Sequence, residues 1–268
     1  MGKIITTCMG MLFFFNNLAV AEFNFDTLPE KLTTYYSSAI QPIDALKRKL
    51  RENDFEVLST IEVLEGEIVL TITNNELKST NSYVATLQLL VNTVNSEIRV
   101  QNPSYFGAAY LQDKYYYGQF KETLVSLENV LGEMSEVEES YDLKELPQFQ
   151  FMYGLPFFKD SIRIKSKGNP LIKVRESEYV AYSLRLPNGS LLVGHRFSRR
   201  NNTFLKTIKE EKNAQLLPYE SMIEEGRVSI LNPKYYLALS LPFLDLAKFM
   251  KIATAPDTIK REISKTYR

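Results

Sequence analysis

The sequence predicts an α+β fold made of two related modules, each with antiparallel hairpins and helices packed on a sheet. One observation is a repeat: Val100-Gln101-Asn102-Pro103-Ser104-Tyr105-Phe106 returns as Ile230-Leu231-Asn232-Pro233-Lys234-Tyr235-Tyr236, about 130 positions later. A second is the order hairpin, helix, hairpin, helix, which can be traced twice along the chain. The third is composition: 44% hydrophobic and 24% charged residues supply enough apolar material for one large or two small cores.

The first module begins with Leu32 to Tyr36, rich in β-formers and read as a strand. Pro42 to Leu50 follows with apolar residues at helical spacing behind a proline suited to a first turn. Phe55 to Val63 and Glu67 to Thr73 form a hairpin about Glu65-Gly66, where glycine supplies the positive φ of a tight turn. Asn74 to Ser82 is polar and turn-forming, with room for a short helix. Ala85 to Val94 and Glu97 to Gln101 make a second hairpin closed near Asn95-Ser96. In its last strand Ile98 and Val100 share one face while Glu97, Arg99 and Gln101 share the other, the alternation of a half-buried antiparallel strand. Asn102-Pro103 then switches strand to helix: asparagine caps orphan N–H groups, and proline wastes no donor at the first helical position. Phe120, Leu124, Leu127, Leu131 and Met134 keep a three-four spacing that predicts an amphipathic helix from Tyr117 to Val137.

The second module repeats the order. Tyr179 to Leu186 and Ser190 to Phe197 flank a turn at Pro187-Asn188-Gly189, and a helix is expected over Thr203 to Lys212. Gln215 to Ile223 and Arg227 to Leu231 flank Glu225-Gly226, and Asn232-Pro233 repeats the switch. Phe243 to Ile263 reads as helix with a break around Pro256. The expected organisation is a signal peptide over 1–21, a first module over 22–138, an acidic, proline-bearing linker over 139–156 and a second module over 157–268.

The signal reading rests on Lys3, the apolar stretch Ile4 to Phe15 and the small-x-small run Ala19-Val20-Ala21 before Glu22. No later segment reaches the roughly 18 continuous apolar residues of a membrane span. The single cysteine, Cys8, falls inside the signal, so the mature chain has no thiol for disulfides, thiolate catalysis or cysteine metal sites. An exported chain without a disulfide framework suits a bacterial periplasm. Its charge balance, 32 basic against 32 acidic residues, lacks the surplus that nucleic-acid binding by bulk electrostatics requires.

The chain resembles, over about half its length, family 302 of the domains of unknown function, a small bacterial α/β domain. The likeness rests on Leu32 to Leu111, including Phe55-Glu56-Val57-Leu58 and Asn102-Pro103-Ser104-Tyr105. A partial second copy carries Leu191-Leu192-Val193-Gly194, Ala214-Gln215-Leu216-Leu217-Pro218 and Asn232-Pro233-Lys234-Tyr235. The two copies differ at Leu87-Gln88 against Leu217-Pro218, and the family's strand-helix-strand opening has no clear counterpart before Tyr179. The resemblance implies a compact α+β fold with an antiparallel-rich sheet and brings no catalytic residues.

Enzyme chemistry is limited by the inventory. One histidine and no mature cysteine cannot assemble a common zinc site, and no Gly-x-Ser-x-Gly elbow or phosphate-cradling glycine loop is present, so no cofactor or metal is expected. The best ligand-binding candidate is the segment from His195 to Asn202, which joins a strand end to a helix start and concentrates Arg196, Arg199 and Arg200. Guanidinium forks and the free N–H groups of a helix start suit an anionic ligand, so His195, Arg196, Arg199, Arg200 and Asn202 are the expected contacts. The pairs Glu210-Glu211 and Glu224-Glu225 point apart and are read as solubilising. The clusters Tyr115-Tyr116-Tyr117 and Phe149-Gln150-Phe151 are read as packing. The expectation is thus an exported, periplasmic, non-catalytic binding or accessory module whose partner is a small anion or another periplasmic protein. The alternative is a hydrolase or transferase with His195 as general base and arginines stabilising negative charge.

Overall fold

Two antiparallel sheets form the frame, and in each the strand that precedes the hairpins in sequence pairs with the last hairpin strand. The computed structural model describes residues 23–152 and 154–268. The expected signal over 1–21, its cleavage point after Ala21 and Cys8 lie outside the described residues. The chain is α+β, as the sequence predicts.

The first sheet uses β2 (Tyr35–Ala39), β3 (Glu56–Leu64), β4 (Glu67–Thr73), β5 (Leu87–Asn92), β6 (Glu97–Gln101) and β7 (Ser135–Glu136), in the order β3-β4-β5-β6-β2-β7. β1 (Lys31–Thr33) leaves this sheet to pair with β8 (Ser140–Asp142). The single strand expected over Leu32 to Tyr36 is therefore divided at Thr34. That residue's N–H donates to Glu139 O at 2.7 Å while its carbonyl accepts from Asn102 N–H at 3.0 Å, so its backbone serves two neighbours at once. Helices α1 (Ile43–Glu52), α2 (Asn75–Ser79), α3 (Pro103–Leu111) and α4 (Lys121–Leu131) complete the unit.

The second sheet uses β9 (Ile162–Ile164), β10 (Val180–Arg185), β11 (Leu191–His195), β12 (Tyr219–Glu224) and β13 (Arg227–Ile230), ordered β10-β11-β12-β13-β9. Its helices are α5 (Pro170–Glu176), the short turns α6 (Arg199–Asn202) and α7 (Phe204–Thr207), then α8 (Pro233–Ser240), α9 (Leu246–Lys251) and α10 (Ala255–Thr266). A strand-helix-strand opening does exist before the second hairpin pair: it is β9, α5 and β10. Its helix starts at Asn169-Pro170, and Asn169 Oδ1 accepts from Leu171 N–H at 2.9 Å.

The repeated Asn-Pro pairs do the same local work. Asn102 Oδ1 accepts from Ser104 N–H at 2.9 Å and Asn232 Oδ1 from Lys234 N–H at 3.1 Å, each with proline opening the helix. The helix expected to reach Val137 stops at Leu131, because Gly132 turns the backbone to φ 78° while its N–H still donates to Glu128 O. Phe120, Leu124, Leu127, Leu131 and Met134 are all buried.

One apolar cluster runs through both units, joining Leu46, Leu70 and Leu127 of the first to Leu216, Ile230 and Ile263 of the second. That shared core changes the reading of β6. Arg99 is only 3% exposed and Gln101 6%, although alternation had placed them on a half-buried strand's polar face. A 3₁₀ segment, Glu211–Leu216, lies across β4, β5 and β6 and takes the place of solvent there. The expected linker is likewise partly structural, since it supplies β8 and the 3₁₀ turn Leu146–Gln148 packed on α3. Among the described residues no helix is long and apolar enough to cross a membrane.

Candidate functional site

β11 brings His195 to the point where the chain leaves the sheet, and strand alternation turns its ring inward beneath α10 rather than outward into the loop. The residue is 1% exposed. Its Nδ1 lies 3.1 Å from Thr266 Oγ1 and its Nε2 2.8 Å from Ser221 Oγ, which in turn lies 2.7 Å from the Tyr267 hydroxyl. Burial pushes the imidazole down to about 3, so it is neutral, giving one ring nitrogen as donor and the other as acceptor. A serine is thus within reach of the histidine, but Ser221 is 0% exposed and the pair sits under a helix. The imidazole is thus a satisfied core group, which removes the base that the hydrolase alternative required, while His195 still stands among the residues lining the cleft between this loop and β3.

The arginines fare differently. Arg196 is exposed, its backbone N–H held by Tyr179 O at 2.8 Å. Arg199 reaches across to β3 and pairs with Glu62. Asn202 is buried, and its Nδ2 donates to Val63 O at 2.8 Å while its Oδ1 has no partner among the described residues. These residues and the β3 stretch Thr60 to Val63 enclose a cleft of about 330 Å³, with Leu217-Pro218 also on its wall. Arg200 is exposed and is not among the residues lining the cleft. The helix start expected to attract an anion is absent: α6 is one turn of four residues, too short for an aligned dipole, and the helix expected over Thr203 to Lys212 is broken into α7 and the 3₁₀ segment. Side chains, not a helix terminus, would have to hold the anion.

Three polar clusters between the units were not legible in the sequence. Glu220 of β12 accepts from the hydroxyls of Thr86 and Tyr182, and burial pushes its carboxyl up to about 7. Arg99 Nη2 lies 3.3 Å from Glu139 Oε2, and Lys212 Nζ of the second unit lies 2.6 Å from Glu139 Oε1. Burial alone would raise Glu139, but the two cations outweigh it and hold the carboxyl below its ordinary value. Tyr35 and Tyr105 of the first unit donate to Ser240 O and Leu239 O at the end of α8, at 2.7 and 2.9 Å. The isolated Arg99 amid Ile98 and Val100 was the one available signal, and alternation gave it a simpler explanation.

The remaining features divide. Glu210, read as solubilising, is buried and accepts from Lys248 Nζ at 2.8 Å and Asn213 Nδ2 at 2.9 Å. Tyr115 stacks on Phe120 and Phe149 meets Tyr141 and Tyr235 edge-on, whereas Tyr116 is 66% exposed. No group of three or more histidine, cysteine or acidic side chains suited to a metal occurs among the described residues. No family model, no curated protein and no solved structure matches the chain.

Proposed function

We propose that this is an exported, periplasmic, non-catalytic binding or accessory protein that holds a small anion in the cleft between β3 and the His195 to Asn202 loop. The observation that carries the reading is the division of that loop. Its one titratable base is shut beneath α10, while Arg196 and Arg199 line a cleft about 330 Å³ in volume. A guanidinium binds oxyanions by paired N–H donors without any proton transfer, so the site is equipped to hold and not to react. Glu62 is a built-in competitor, because an incoming anion must displace its carboxylate from Arg199. The export signal over 1–21 supports the location. We further infer that the two units descend from one ancestor of the family 302 type, supported by the paired Asn-Pro caps and the matching strand orders.

The test is a thermal-shift series with phosphate, citrate and a neutral sugar, on the wild type and on Arg196→Ala. Stabilisation by an anion that vanishes in the variant supports the reading. No shift with either anion, or an equal shift in both proteins, overturns it.

A further inference from the structure

Three large apolar side chains face solvent at the turn into α9 and along it: Phe243, Leu246 and Met250 are 51%, 55% and 62% exposed. A spacing of four places Leu246 and Met250 on one face of α9, and Phe243 lies in the turn just ahead of them. The other side of the same stretch is anchored. Leu244, Phe249 and Ile252 are buried, and the Phe249 ring packs on Phe151 with centroids 5.6 Å apart. Asp245 caps the helix, its Oδ1 accepting from Lys248 N–H at 2.7 Å. The fold therefore holds an apolar ridge outward, where contact with water is unfavourable.

Charge says what could cover the ridge. In a chain with no net charge, residues 243–268 hold six cations against three acids. Lys248 and Lys265 are engaged with Glu210 and Glu262, which leaves Lys251, Lys260, Arg261 and Arg268 exposed against exposed Asp245 and Asp257. Lys251 adjoins Met250 on the outward side of α9. A second copy of the chain fits poorly, because three side chains supply a small part of the roughly 800 Å² per partner that a stable protein interface covers. A bilayer asks for no matching shape: protruding apolar groups enter below the headgroups while cations meet anionic lipid.

We infer that α9 and the turn before it dock the protein peripherally on an anionic lipid bilayer, with Phe243, Leu246 and Met250 entering the boundary between headgroups and acyl chains and Lys251 at the lipid phosphates. The contact is a surface one, and it does not depend on the cleft at Arg196.

The chain has no tryptophan, so Leu246→Trp places a single reporter in the ridge. Full chain carrying it is titrated with vesicles of phosphatidylcholine alone and of phosphatidylcholine mixed equally with phosphatidylglycerol. The expected result is a blue-shifted emission with the anionic vesicles and binding at least about tenfold tighter than to the neutral ones. In co-sedimentation of the otherwise native chain, affinity for the anionic vesicles should fall about tenfold or more in the triple variant Phe243→Ser, Leu246→Ser, Met250→Ser, whose exposed positions keep the fold intact, and about fivefold in Lys251→Ala. No binding to the anionic vesicles, an unmoved emission or equal affinity for the neutral ones overturns the inference. Full binding by the serine variant also overturns it, since the contact would then lie elsewhere, as in the apolar stretch Ile4 to Phe15. Self-association in place of vesicle binding, abolished by the serine changes, would assign the ridge to a second copy and overturn it too.

Discussion

A Cβ on Gly194 would stand 2.1 Å from Cε1 of Tyr182, so the ring of that tyrosine fills the space a side chain would need. The two residues are register partners on β11 and β10, and the Tyr182 hydroxyl donates to Glu220 on the next strand. The bare backbone at 194 thereby sets the position of a ring whose far end serves the boundary between the units.

Gly194→Ala should accordingly destabilise the protein by about 1–3 kcal/mol, because Tyr182 is buried and cannot move without leaving Glu220 short of a donor. The denaturant midpoint reports this. An unchanged midpoint would mean that the ring has room the structure does not show.

Arg99→Ala should cost about 3 kcal/mol or more, since it leaves Glu139 buried with only Lys212 beside it. Urea unfolding of Arg99→Ala, Glu139→Ala and the double variant forms the measurement, and the double should cost well below the sum of the singles. Strict additivity would show the two side chains to be independent.

Asn102→Ala should cost more than Asn232→Ala, about 2 against about 1 kcal/mol. Both remove a cap, but Asn102 is 0% exposed and its Nδ2 also donates to Thr33 O at 2.8 Å, whereas Asn232 is only partly buried. Equal losses in thermal unfolding would contradict the extra bond.

Two of the contributions to the pH dependence oppose each other. His195 is depressed from 6.5 to about 3, so between those values the unfolded chain binds a proton that the folded chain does not, and stability falls as pH falls. Its limiting slope is about 1.4 kcal/mol per pH unit. Glu220 is raised from 4.5 to about 7, so there the folded chain binds the extra proton and stability falls as pH rises through that window. Stability-pH profiles of His195→Gln and Glu220→Gln separate them: the first should flatten the acid limb, and the second should gain on the wild type from pH 4.5 to 7. Parallel profiles would contradict both assignments.

Local chemistry was the legible part of this fold. Turn glycines, Asn-Pro caps and strand alternation act within a few residues, which is why α1, both first-unit hairpins and the helix switches stand where the sequence puts them. The third Asn-Pro pair, at 169–170, carried the same signal as the other two but lay outside the recognised repeat. What could not be read was which polar face another unit would cover. Arg99, Gln101 and Glu67 look like surface residues in sequence because their neighbours alternate with them, and the packing of residues 211–216 against the first sheet covers that face, while Glu220 on the second sheet is met by Thr86 and Tyr182. At the candidate site the sequence located His195, Arg196, Arg199 and Asn202 on one cleft. It misjudged the His195 ring, because Ser221, Thr266 and Tyr267, which meet that ring, are distant in the chain.

The most direct measurement is phosphate titration by calorimetry of the wild type beside Glu62→Gln, which removes the competing carboxylate from Arg199 without touching the arginines. Binding of phosphate by the wild type, tightened several-fold in the variant, is the predicted result. Failure of phosphate to bind either protein, or an affinity indifferent to the loss of Glu62, would contradict an anion site at this cleft.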